Sequence, residues 1–359
     1  MASGKKGYLM EEILRTYFRR LDYFVVRGVP VYYKDFSITD IDIFAYKRNS
    51  PISKQITIVD AKNKKTPQAL ERIFWVYGLK SVIGATSAIV ATTDKRKEVI
   101  EYGKKLDILV FDGNFIDRLK NKYLPEADRF SEDDFFSEFD RYKLGKLDGD
   151  WRGRFVKSKA CLAVGLNFDS CNTLLEQAHF FACKVLTHKI ECDIAARCFY
   201  LVCAYISICI DYILKDLSFL EHHERYARLI EGLAYGTKGE AGTKKMLNMA
   251  TDMVKSYVPD GNLIIRQIKL DIDKNINQLH VNILAEFFAN QEVMSQLFQI
   301  AIEFESLAMR TIFTSHNSGS SSVKGLVGCL LDFWKIDRKK FSEATNSILL
   351  SSQKSKNED

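Results

Sequence analysis

The first 120 residues of this 359-residue chain contain no histidine and no cysteine. Nucleophilic chemistry of the Ser-His or Cys-His kind therefore cannot be assembled there. All eight cysteines lie at Cys161 or beyond, and none forms the Cys-x-x-Cys pair of a structural zinc site. With no signal peptide in the opening MASGKK, free and mostly buried thiols in a reducing cytoplasm are expected. Long apolar runs are missing too. The longest uncharged one, Cys198 to Ile210, has 13 residues, short of the roughly 18 that a membrane span needs. It reads as a core helix, with a dimer interface as the alternative.

The chain is 47% hydrophobic and 27% charged, close to a soluble globular average, and only the tail SSQKSKNED (351–359) reads as disordered. Its net charge of +6 is unevenly placed: residues 1–120 hold 22 Lys/Arg against 14 Asp/Glu, a net +8, and the remainder holds 30 against 32. A basic N-terminal part beside a near-neutral remainder points to a polyanion handled at that end.

Apolar residues recur at helical spacing from Tyr8 to Leu21. Three β-branched stretches follow, Tyr23–Val31, Ile38–Ala45 and Ile56–Ala61, which suggest an antiparallel meander. A helix opening at Pro67, a strand at Ala88–Thr92, a helix at Asp94–Lys105 and a strand at Ile108–Phe111 complete the order αβββαβαβ. This predicts an α/β N-terminal domain with a mixed sheet over residues 1–124. An acidic, then Gly-punctuated linker is expected at 125–154, and an all-α helical domain at 155–350, with helical periodicity near 172–190, 193–215, 222–234, 243–257, 275–312, 323–334 and 339–350. Two weaker signals carry no function: Gly236–Lys245 lacks a phosphate-loop pattern, and His222-His223 has no ligand partner one helical turn away.

Carboxylates and lysines remain as the chemical groups. Strand alternation puts Asp40 and Asp42 on one face, with Ile41 and Ile43 on the other, and Asp60 and Lys62 share a face of the neighbouring strand. If the strands pair, two carboxylates and an ammonium converge. Such oxygens, with the Ala61 carbonyl, suit Mg²⁺ (or Mn²⁺), and Lys62 would position a water or neutralise developing charge. On the first helix Glu11 falls at the edge of the apolar stripe and could reach the metal, whereas Glu12 points away and is expected to be solvated.

These residues resemble the PD-(D/E)XK, restriction-endonuclease-like superfamily, in particular its Mrr-type and archaeal Holliday-junction-resolvase branches. The likeness covers about residues 5–120. Gly7-Tyr8-Leu9-Met10-Glu11 looks like the helix-one Gly-x-x-x-Glu pattern, Asp42-Ile43-Phe44-Ala45 like the strand-two Asp, and Asp60-Ala61-Lys62 like the (D/E)xK, with Asp60 in place of the commoner glutamate. Gln68 stands where some branches carry a glutamine. The resemblance implies an αβββαβ core and metal-dependent cleavage in which Asp42 and Asp60 are ligands and Lys62 assists the attacking water. DNA is the expected substrate, RNA the alternative, and a prokaryotic restriction or antiviral defence system with companion proteins the expected setting. A non-catalytic nucleic-acid-binding module on the same fold is the rival. Lys64, Lys65, Lys95, Arg96 and Lys97 are candidate contacts to a phosphate backbone. A homodimer held by the helical part, through the Cys198–Ile210 helix and the 275–312 segment, would supply a second site for the opposite strand.

Overall fold

A computed structural model describes residues 2–63, 68–124, 126–188, 192–258 and 261–354. Its N-terminal part runs α1 (Ala2–Arg19), β1 (Phe24–Tyr33), β2 (Phe36–Arg48), β3 (Lys54–Lys62), α2 (Ala69–Ile83), β4 (Ser87–Thr92), α3 (Lys97–Lys105), β5 (Leu109–Phe111) and α4 (Gly113–Lys122). The strands form one sheet in the order β1-β2-β3-β4-β5. The first three are antiparallel, and β4 and β5 are added in parallel through helical crossovers. This is the mixed sheet expected from the order of elements.

Helices α1 and α4 cover one sheet face. Met10, Ile13, Leu14 and Phe18 of α1 pack with Ile43, Val59 and Ile89 from the strands. On the other face Phe24, Phe44, Tyr46, Ile58 and Val90 belong to a larger core that takes in α2 and continues from β1 through α6 into the helical part. That part comprises α5 (Glu132–Arg141), α6 (Trp151–Val164), α7 (Phe168–Thr187), α8 (Cys192–Ile213), α9 (His222–Tyr235), α10 (Gly239–Tyr257), α11 (Gly261–Gln278), α12 (Val281–Ala289), α13 (Gln291–Met309), α14 (Ser321–Phe333) and α15 (Arg338–Lys354).

Four expectations need correction. Residues 125–154 are not an open linker among those described: α5 begins with a reciprocal Ser131/Asp134 capping box and buries Phe135 and Phe139, and Trp151 opens α6 fully buried. The acidic composition hid a helix whose apolar residues lie on one face while its charges face solvent. The 275–312 segment is broken, because Asn290 ends α12 in extended backbone and caps α13 with its own side chain. α15 runs to Lys354, into the tail expected to be disordered, and residues 355–359 lie outside those described.

The fourth concerns the proposed dimer surface. The Asp193–Asp216 stretch has the length and composition of a membrane span, but 94% of its apolar window is buried inside the fold. Cys198, Phe199, Val202, Cys203, Ile206 and Cys209 are all fully enclosed by the protein's own helices. It is a core helix and has no such surface left to share.

Candidate functional site

The site forms where β2 and β3 part. Their ladder runs from Arg48↔Lys54 to Ile43↔Val59 and stops there. The next residue of β2, Asp42, turns its carboxylate onto the freed edge of β3: Oδ2 accepts from the Ala61 amide at 2.7 Å and from Lys62 Nζ at 3.2 Å. A distortion in the β1–β2 pair makes room. The pairing steps over Gly28 and Asp42, and Gly28 is left-handed at φ 55°, a conformation that glycine adopts without steric cost. Side-chain alternation breaks at this point, so Ile41 joins Phe44 and Tyr46 in the large core while Ile43 faces α1. Strict alternation, which put Ile41 and Ile43 on one face, is therefore corrected.

Asp60, one residue before Ala61, is buried. Its Oδ1 lies 3.6 Å from Lys62 Nζ. Both its oxygens are gripped by the guanidinium of Arg72 from the first turn of α2, with Nε to Oδ2 at 2.9 Å and Nη2 to Oδ1. Arg72 lies flat over the Trp75 ring, 4.3 Å from its centroid. With Lys62, Gln68, Glu71 and Thr92 it lines a cavity of about 80 Å³. Gln68 is thus brought to the site, through its position at the start of α2.

Glu11 approaches from α1. Its Oε2 accepts from Arg27 of β1 at 3.2 Å (Nε) and 2.5 Å (Nη2). Burial raises the Glu11 pKa against the opposing charge of Arg27, and the neighbouring Asp42 carboxylate adds to the rise. Burial likewise raises that of Asp42; the Lys62 charge works against it, and the Asp60 charge reinforces it. Three carboxylates thus share a partly desolvated corner in which like charges are felt.

Glu12 is not solvated, as expected from the helix phase, but buried. It accepts from Arg15 Nε at 2.8 Å and from Arg27 Nη1 at 2.5 Å. Those two arginines lower its pKa even though burial acts to raise it. Glu12 does not point away from the packed side: it shares the Arg27 guanidinium of β1 with Glu11, and its outer flank is covered by the chain after residue 125, whose Glu132 amide approaches Glu12 Oε1 at 3.5 Å. From there the charges continue inward to Arg129 and to Glu305 of α13.

Asp40 does not join the site: it is exposed, opposite Pro30 in the outer part of the hairpin. Lys64 and Lys65 lie outside the described residues. Lys95 and Arg96 follow β4, whose last residue Thr92 pairs with Lys62, but both are engaged, Lys95 with Asp117 at 2.9 Å and Arg96 with Asp94 at 2.6 Å. Lys97 is exposed. The residues missed from sequence are Arg27, Arg72 and Trp75. For Arg72 a signal existed, an arginine in the first turn of the helix that follows the Asp-x-Lys strand.

Among the described residues, no group of three or more His, Cys, Asp or Glu is gathered to hold a metal ion. The donor chemistry at β2/β3 nevertheless fits a hard divalent cation: oxygen ligands only, more than one carboxylate, and mutual repulsion that a cation would relieve. No family model matches the chain, and no curated protein and no solved structure matches it.

Proposed function

We propose that the chain is a divalent-metal-dependent nuclease that hydrolyses phosphodiester bonds in DNA at the β2/β3 site. The observation that supports this reading is the convergence of Asp42, Asp60 and Lys62 at a parted strand pair, with Asp42 Oδ2 3.2 Å and Asp60 Oδ1 3.6 Å from the same ammonium. Asp42 and Asp60, with the Ala61 carbonyl, would hold Mg²⁺ or Mn²⁺. When bound, such an ion polarises a phosphate and lowers the pKa of a water.

The protein's own groups do the rest. Lys62, partly exposed between the two carboxylates, neutralises charge that develops on the phosphate as water adds to phosphorus and the ester oxygen leaves with a proton. Glu11, with its raised pKa, holds or releases a proton at the edge of the site. Arg27 fixes its position. RNA is open to the same backbone-directed chemistry. A second copy of the chain would supply the second cut in a duplex, and a defence setting with companion proteins belongs to the same reading.

A rival reading, a nucleic-acid-binding module that holds no metal, draws on the Asp60–Arg72 fork, which already neutralises one ligand. Nicking of supercoiled plasmid with Mg²⁺, and its loss in EDTA and in Lys62→Ala, tests the proposal. A purified protein that binds DNA but never nicks it with Mg²⁺ or Mn²⁺ refutes it. Light scattering, alone and with DNA, tests the dimer.

A further inference from the structure

Resting on that nuclease reading, we infer that Arg72 stands in for the metal in the resting site and becomes a clamp for the substrate phosphate once the cation displaces it from Asp60. Three observations carry this. The Arg72 fork occupies both oxygens of Asp60, so Asp60 cannot bind a cation fully while the fork is closed. The guanidinium is braced from behind by the Trp75 face, which keeps it at the site after it lets go. In addition, the cavity that Arg72 lines is shared with Lys62, Gln68, Thr92 and Glu71, which places two cations, two neutral donors and one carboxylate around one small space.

The arrangement settles a problem of charge. Asp60 is buried beside Asp42, and an uncompensated carboxylate there is costly. Arg72 supplies the missing charge without a metal. When a divalent cation takes Asp60, the local positive charge would then be in excess and the phosphate of a bound strand restores the balance. A planar fork suits that exchange, since it pairs equally well with two carboxylate or two phosphate oxygens. Metal and substrate are thereby coupled: each favours the state in which Arg72 has left Asp60.

The test is Mn²⁺ binding by calorimetry to the full chain, with wild type, Arg72→Gln and Arg72→Lys compared. Removal of a competitor for Asp60 should tighten Mn²⁺ binding about tenfold in Arg72→Gln, the effect of losing one forked ion pair, and less in Arg72→Lys, which keeps charge without the fork. In Ca²⁺, affinity for a duplex oligonucleotide should fall several-fold in Arg72→Gln. If Arg72→Gln fails to fold by circular dichroism, Arg72→Lys decides the matter by the same two signs. Wild-type binding with unchanged or weaker Mn²⁺ affinity in the variants overturns the stand-in role alone, and unchanged DNA affinity overturns the clamp. Absence of Mn²⁺ binding in every protein, wild type included, overturns the nuclease reading and this inference with it.

Discussion

Two charged clusters lie on either side of Glu11-Glu12, built from nearly the same residue types, and they differ in what they leave open. On one side Asp42 and Asp60 are paired with Lys62 and Arg72, these two cations line a cavity, and the Lys62 side chain is 32% exposed. On the other, Glu12, Arg15, Arg129 and Glu305 are enclosed between α1 and α13, with Glu305 at 7%. Arg27 touches both, giving Nε and Nη2 to Glu11 and Nη1 to Glu12. The pKa directions follow the enclosure. Although burial acts to raise it, the Glu305 carboxyl is held down at about 2 by Arg129, Arg19 and Arg15, whereas Asp42 and Glu11 rise. A cluster that balances its own charges serves the fold. One that leaves carboxylates raised with a cavity beside them is where the proposed nuclease reading puts its cation.

The sharpest way to break this contrast is to remove one charge from each side. Lys62→Ala and Asp60→Asn should each lower cleavage by about 10²- to 10³-fold, as the loss of a single charge-stabilising group does. The melting temperature of Lys62→Ala should stay within a few degrees of wild type. Glu305→Ala should do the reverse. It strands the buried Arg129 without its carboxylate partner and leaves Arg19 with only Glu126, at a cost of about 3–5 kcal/mol in urea unfolding, while Mn²⁺ affinity in the fraction still folded is unchanged. A silent Glu305→Ala, or an unfolded Lys62→Ala, would dissolve the distinction.

Acid should weaken the helical part and the enclosed cluster before the open one. Burial lowers the pKa of His316 from 6.5 to about 4, where its imidazole meets the Tyr200 hydroxyl at 3.1 Å. The folded state therefore resists protonation that the unfolded chain accepts. The neutral imidazole's contribution is fully present above pH 6.5 and is lost as pH falls toward 4, up to about 3 kcal/mol. The depressed Glu305 extends the loss from 4.5 down to about 2. Glu11 and Asp42 act in the opposite sense, because a raised folded pKa favours the folded state as protons are added. Urea unfolding at pH 7, 5.5 and 4 should show stability falling, and His316→Gln should flatten the part above pH 4. An identical slope in that variant would assign the acid loss elsewhere.

How far the sequence reaches differs between the two regions for a physical reason. Strand alternation and turn chemistry are local, so all five strands and the Asp42, Asp60 and Lys62 trio were legible. What lay hidden depends on distant chain. Glu12 reads as solvated because nothing near it in sequence says that residues 126–133 cover it. Arg72 is hidden because only the α2 crossover returns it to β3, and Gly28 gives no warning that alternation breaks and sends Ile41 to the face opposite Ile43. Helices α7 to α9 were legible from periodicity. The break at Asn290 was not, because its cap is a single side chain inside an otherwise continuous apolar pattern.

The smallest effect belongs to the exposed cations beside the open cluster. Lys95 and Arg96 are candidate backbone contacts by charge alone, yet each is already paired, with Asp117 and Asp94. The Arg96 fork depresses the Asp94 pKa through its hydrogen bonds, with Arg96 exposed and Asp94 buried. The Lys95–Asp117 pair is exposed and adds little to stability, whereas Asp94 is buried and loses its forked partner in Arg96→Ala, so Lys95→Ala should leave the melting temperature unchanged and the double variant should lower it by a few degrees. Their position next to Lys62 through Thr92 still places them at the end of the sheet where a strand would enter. If they leave their aspartates for phosphates, each lost contact should reduce the slope of log affinity against log salt by about 1 and weaken binding uniformly across DNA sequences. The measurement is DNA affinity in Ca²⁺ at several salt concentrations for wild type and the double variant. A slope that does not change would mean that these two residues serve only their own ion pairs, and that the basic surface responsible for binding lies elsewhere in the first 120 residues.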